Sequence, residues 1–165
     1  MKPVLLIIDV QKEFYLYDLQ TTQSLKDAVE QINQAIALFR AKNLPVISVQ
    51  HVDEKENLVP GETGFELPDE LNILASDVHI HKKYENAFNK TPLEAHLREL
   101  SVDTVIVTGF CAEYCVLSTY RGAEDLDLTP IILRDALASS TLENIKFVEN
   151  MSEVVTQGAL KKFLE

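Results

Sequence analysis

A chain of 165 residues, 46% of them apolar, is the size of one compact domain and holds enough apolar side chain for a real core. Its formal charge of −11 repels phosphate backbones and anionic lipid head groups, which argues against nucleic-acid and membrane-surface partners. Two cysteines make no disulfide framework, so a reducing compartment, the cytoplasm, is expected, where thiols stay free and open to chemistry.

The first apolar run, Val4–Ile8, is followed directly by Asp9, Lys12 and Glu13. It is too short for a signal-peptide core or a membrane span and reads as a buried strand. Leu25–Ala41 repeats its apolar residues at helical spacing through Val29, Ile32, Ile36 and Phe39, with Asn43 as a stop and Pro45 barring continuation. Val46–Val49 is the second predicted strand. The segment His51–Ser76 then breaks the rhythm, with Pro60, Gly61, Gly64 and Pro68 set among charges. A loop this long inside a compact domain is expected to be an active-site lid or a binding element. Val78–Ile80 predicts a third strand and Leu93–Leu100 a second helix, opened by a capping box of Thr91, Pro92 and Glu94 and stopped at Ser101. Thr104–Val107, a helix over Val116–Leu126, and Pro130–Leu133 continue the alternation. Beyond them, Leu142–Phe147 suggests a short helix, Val154–Val155 a last strand and Ala159–Leu164 a terminal helical turn or two. Repeated strand–helix–strand units with right-handed crossovers predict a three-layer α/β/α sandwich with a mostly parallel central sheet, Rossmann-like in layout. Residues 1–165 form a single domain without repeats or linkers.

In such a sheet, ligands bind outside the carboxyl ends of the strands. The five runs end at Asp9, at Gln50 and His51, at His81, Lys82 and Lys83, at Thr108 through Cys111, and at Arg134 and Asp135, so capable groups converge on one rim. An aspartate, a lysine and a cysteine there supply a base, a cation that lowers the thiol pKa, and a nucleophile. The sharpest segment, Thr108-Gly109-Phe110-Cys111-Ala112-Glu113-Tyr114-Cys115-Val116, runs from a strand end through a glycine turn into a helix. There Cys115 would feel the positive helix end, and free N–H groups could hold an oxyanion. Both cysteines read equally as small buried hydrophobes. A zinc site of Cys111 and Cys115 with His79 and His81 fits neither the usual spacing nor a buried strand.

Three segments in this order resemble the isochorismatase-like cysteine hydrolases, the superfamily of nicotinamidases, N-carbamoylsarcosine amidases and ureidoacrylate hydrolases. They are Leu6-Ile7-Ile8-Asp9-Val10-Gln11-Lys12-Glu13-Phe14, Lys82-Lys83-Tyr84-Glu85-Asn86-Ala87-Phe88, and Gly109 through Cys115 to Thr119. Lesser matches are Gly61 to Leu67 and Asp135-Ala136. The resemblance implies a triad of Asp9, Lys82 and Cys115, with Lys83 as the other lysine if the loop slips by one. It also implies a cis peptide at Phe110–Cys111 and an oxyanion hole from the N–H groups of Cys111 and Cys115. The implied reaction is hydrolysis of a small amide, carbamoyl or related C–N bond through a thioester, with no cofactor. The implied assembly is a dimer or tetramer. Candidate pocket walls are Phe14, Tyr84, Phe88, Phe110 and Tyr114.

Departures from the family pattern matter as well. His51 and Asp53 begin the loop where nicotinamidases bind a metal, but Glu54 and Glu56 follow instead of a second histidine, so no metal is expected. Ala112 and Asn86 replace a common threonine and serine, and Cys115 argues against the ether hydrolysis of true isochorismatases. Two other function classes compete. A non-catalytic binding or regulatory protein could use the same scaffold. A phosphoacceptor domain would need a cluster of neighbouring acids for magnesium, which the chain lacks, and a site lysine after the Thr108 turn, whereas the lysine here precedes it.

Overall fold

The computed structural model describes residues 1–56 and 58–165; Asn57, in the segment expected as a lid, lies outside the described residues. The central strand β1 (Pro3–Ile8) is buried at every position. Successive side chains of a strand point to opposite faces, and here both faces are covered, which is why the run is continuously apolar. Leu5 and Ile7 pack into one layer with α1 (Leu19–Ala41) and α5 (Gln157–Phe163). Val4, Leu6 and Ile8 pack into the other with α2 (Leu93–Glu99), α3 (Leu117–Glu124) and α4 (Leu142–Asn150). With β2 (Val46–His51), β3 (Val78–Lys82), β4 (Thr104–Gly109), β5 (Thr129–Leu137) and β6 (Val154–Val155), the sheet has the order β3-β2-β1-β4-β5-β6, every pairing parallel. The architecture is the three-layer α/β/α sandwich. The chain builds one side of β1 first and then the other, so the crevice between the ends of β1 and β4 is the topological switch point.

Several boundaries differ from expectation for identifiable reasons. α1 starts at Leu19 because the Asp18 carboxylate accepts a hydrogen bond from the Thr21 N–H at 2.7 Å; the polar turns before Leu25 hide the start. The capping box at Thr91 does not form. Glu94 pairs with Arg98 one turn onward instead, and Thr91 Oγ1 accepts from Leu93 N–H at 3.3 Å. Three helices end alike, with Asn43, Ser101 and Asp127 left-handed at φ of 53°, 53° and 59°. In each, the next residue's N–H returns to the last turn: Leu44 to Phe39 (2.9 Å), Val102 to Leu97 (2.9 Å) and Leu128 to Ala123 (3.0 Å). β5 runs past Leu133 to Leu137, and its pairing to β4 shifts register between Val107 and Gly109, with Asp135 at φ 65°.

The long loop is fastened rather than free. Gln11, fully buried, donates through Nε2 to the carbonyls of His51 (3.0 Å) and Phe65 (3.2 Å) and accepts from the His51 N–H (2.7 Å). Gln50 donates to Phe65 O at 3.0 Å, and the N–H groups of Lys12 and Glu13 donate to Glu66 O and Gly64 O, both at 2.9 Å. On the other side of the crevice, Gly109 sits at φ 114°, and any Cβ there would overlap the Ile8 carbonyl oxygen. Gly109→Ala is therefore expected to cost about 2–3 kcal/mol of stability in denaturant unfolding. An unchanged midpoint would mean that β4 can retreat from β1.

Candidate active site

Each strand of the crevice delivers one group. Asp9 leaves β1 at φ 51°, in the left-handed region, and is 1% exposed. Lys82 closes β3, where alternation buries Ile80 and Lys82 while His79 and His81 face outward. Lys83 is exposed, so Lys82 is the lysine that enters the site. β2 lies between β3 and β1, which puts them about 10 Å apart. Only a long stem crosses that gap, and the Lys82 ammonium arrives 2.7 Å from Asp9 Oδ2, 3.2 Å from Cys115 Sγ and 3.1 Å from His51 Nδ1. An ammonium has three donors, and all three are used. It has no lone pair, so Nδ1 of His51 is the acceptor and the neutral ring carries its proton on Nε2. Burial and then the Lys82 charge hold the His51 pKa below its usual value, in keeping with a neutral ring.

Cys115 lies in a π-helical turn, Ala112–Val116, that precedes α3. The Val116 N–H reaches back to Cys111 O at 3.2 Å, and the Leu117 N–H bonds to Ala112 O. The peptide Phe110–Cys111 is cis. Cys111 is the weaker candidate nucleophile: its thiol donates to Glu113 at 3.1 Å, and burial pushes its pKa up to about 11.

The electrostatics correct one expectation. Burial, and then the Asp9 charge, push the Cys115 thiol well above the ordinary cysteine range, and Lys82 offsets this only in part. Burial likewise raises Asp9 against the pull of Lys82. A second negative charge is thus opposed on both groups, and the crevice at rest holds one anion beside one cation. Asp9 Oδ1 is buried with no hydrogen-bond partner among the described residues. Carboxylate, imidazole and sulfur atoms of Asp9, His51 and Cys115 converge within 4.8 Å, as they could around a metal; here the Lys82 ammonium contacts all three side chains.

A cleft of about 460 Å³ opens over these groups. Of the expected walls, Phe14, Phe110 and Tyr114 line it. Tyr84 does not: it is 43% exposed and its ring lies under Lys90. Phe88 does not either, because it packs against the α2–α3 core layer. Tyr17, Glu56, Glu85, Glu113, Ser140 and Thr141 also line the cleft and were not anticipated. Glu113 stands inside the cysteine segment; Ser140 and Thr141 were missed because β5 runs on to Leu137, so that Arg134 and Asp135, expected at its end, lie within the strand and do not line the cleft.

Residues 3–157 match the family model of the isochorismatase domain. The chain belongs to the isochorismatase family. It is similar to the uncharacterized isochorismatase family protein YrdC of Bacillus subtilis (strain 168), 31% identical over 140 residues that cover 84% of this chain and 74% of that one. The isochorismatase-like hydrolase of Alkaliphilus metalliredigens has the same fold, with a TM-score of 0.90 at 23% identity over 100% of both chains. The N-carbamoylsarcosine amidase of Thermoplasma acidophilum superposes with a TM-score of 0.81 at 25% identity, covering 95% of this chain and 97% of that one. Isochorismatase-family relatives of this chain thus include hydrolases, one of them an amidase. Among the described residues, no helix is long and apolar enough to cross a membrane.

Proposed function

We propose that this isochorismatase-family chain is a cysteine hydrolase that cleaves a small amide, carbamoyl or related C–N bond through a thioester. The observation that carries the reading is a single ammonium, Lys82 Nζ, 2.7 Å from the Asp9 carboxylate and 3.2 Å from the Cys115 sulfur, with Asp9 Oδ1 unpartnered among the described residues. Asp9 takes the thiol proton as the sulfur attacks the carbonyl carbon, and Lys82 balances the charge that moves between them. The N–H groups of Cys111 and Cys115 receive the tetrahedral oxyanion; among the described residues, neither bonds a backbone carbonyl outside the Ala112–Val116 turn. Asp9 returns the proton to the departing amine, and water, with Asp9 again as base, hydrolyses the thioester. The amidase relative supports a C–N bond as the target.

Ammonia release across nicotinamide, pyrazinamide, carbamoyl amino acids and ureides tests this reading. The wild-type protein is expected to turn over at least one of them, and Cys115→Ala none. Release by Cys115→Ala at the wild-type rate, or by neither protein from any compound, would count against it.

A further inference from the structure

Beyond Asp9, the cleft is lined, among the described residues, by three carboxylates, Glu56, Glu85 and Glu113, and by no lysine or arginine. None of the three is ion-paired among the described residues. Glu113 is held in place by Ser139 Oγ at 3.0 and 2.8 Å, Asn144 Nδ2 at 2.7 Å and the Cys111 thiol at 3.1 Å. Burial pushes its pKa up, but these hydrogen bonds outweigh it and keep Glu113 below the usual carboxylate range, so it stays charged. At the cleft base, Asp9 Oδ1 is buried and has no hydrogen-bond partner among the described residues, and Asp9 is one of the residues that line the cleft. Lys82, the nearby cation, has all three donors committed and leaves none for an anionic ligand. Phe14, Phe110 and Tyr114 also line the cleft, and an aromatic ring can receive a cation over its face.

We infer that the substrate carries a cationic group, an ammonium, amidinium or guanidinium, at the end away from the bond that breaks, held by Glu113 with Glu56 and Glu85 at the cleft rim. This rests on the cleft being the site of amide hydrolysis and narrows the substrate to cationic amides or ureides.

Charged thiol reagents test it without any turnover. A methanethiosulfonate transfers its thioalkyl group to a cysteine thiol, forming a mixed disulfide and releasing methanesulfinate and a proton. The trimethylammonioethyl and sulfonatoethyl reagents differ in charge at similar size. Their rates at Cys115, resolved from Cys111 by peptide mass spectrometry and normalised to free cysteine, are expected to favour the cation by about tenfold or more at low salt. The preference should shrink as salt rises, fall about threefold or more in Glu113→Gln and in Glu85→Gln, and persist in Glu30→Gln/Asp125→Asn, which removes two exposed acids outside the cleft. A normalised ratio near one, or one favouring the anion, overturns the inference, and so does a preference lost equally in the control. Ammonia release from 5-aminopentanamide, hexanamide and 4-carbamoylbutanoate is read separately. Silence on all three weighs against hydrolysis of amides, whereas hydrolysis led by the neutral or anionic member keeps the enzyme and removes the cation preference.

Discussion

Asp9→Asn is expected to make Cys115 easier to alkylate near neutral pH while cutting turnover about 10²–10⁴-fold. The two effects diverge because Asp9 acts on the sulfur in opposite ways. Its charge is the second cause, after burial, that raises the thiol pKa. Without that charge, the Lys82 ammonium, 3.2 Å from the sulfur, has the thiolate as its one anionic neighbour among the described residues, and the thiol should ionise at lower pH. The same substitution removes the acceptor for the thiol proton and the donor for the departing amine. Iodoacetamide labelling against pH, resolved by peptide mass spectrometry from Cys111, should show the midpoint at Cys115 move down in the variant. If labelling and turnover fall together, Asp9 lowers the thiol pKa instead, and the opposition of its charge to the thiolate is wrong.

How much of this could be read from residues alone varies from element to element. β1 was legible because a strand covered on both faces needs five apolar residues in succession, and few other structures do. Asp9 was legible as the polar residue ending that strand, and Cys115 from the glycine turn before it. The choice between Lys82 and Lys83 was not, because it turns on the parity of β3. Only the pairing of His51 with Lys82 and the burial of Ile80 fix which face each lysine takes. Tyr84 and Phe88 lie in the turns after β3, beyond its alternation, where proximity to a site lysine in sequence does not place an aromatic ring in its cleft. The start of α1 was lost because Asp18 caps a polar first turn, where hydrophobic periodicity is silent.

The largest error was one of sign. A cysteine beside a lysine suggests a lowered thiol pKa, and the residue types were right. What the residue types could not convey was depth: Lys82 is 1% exposed and the aspartate beside it is equally buried. Desolvation then dominates, and the carboxylate has already taken up the charge of the ammonium. The acidity of the cleft was hidden for a related reason. Glu56, Glu85 and Glu113 come from separate segments and look, one by one, like ordinary solvated charges until the fold brings them to one opening.

That depth makes Lys82 a structural keystone as well as a reactive one, and Lys82→Met tests this. Methionine keeps an unbranched apolar stem of similar length, so the substitution removes the charge with little loss of packing. It leaves Asp9 ionised and buried without its counter-charge, a situation that costs about 3–5 kcal/mol. Burial raises Asp9 from its unfolded value of 3.8, and losing the lysine raises it further. The sign follows from proton binding. Between the unfolded and folded pKa values the native state holds a proton the unfolded chain lacks, so stability falls as pH rises through the folded value. The deficit of Lys82→Met relative to wild type should therefore be largest near neutral pH and should narrow as pH falls toward 3.8. Asp9→Asn/Lys82→Met, which removes both charges, should recover more than half of it at neutral pH. Denaturant unfolding of the four proteins in the cycle gives the coupling directly. A double variant no more stable than Lys82→Met, with a deficit indifferent to pH, would mean that packing of the stem, rather than charge across the crevice, is what Lys82 contributes to the fold.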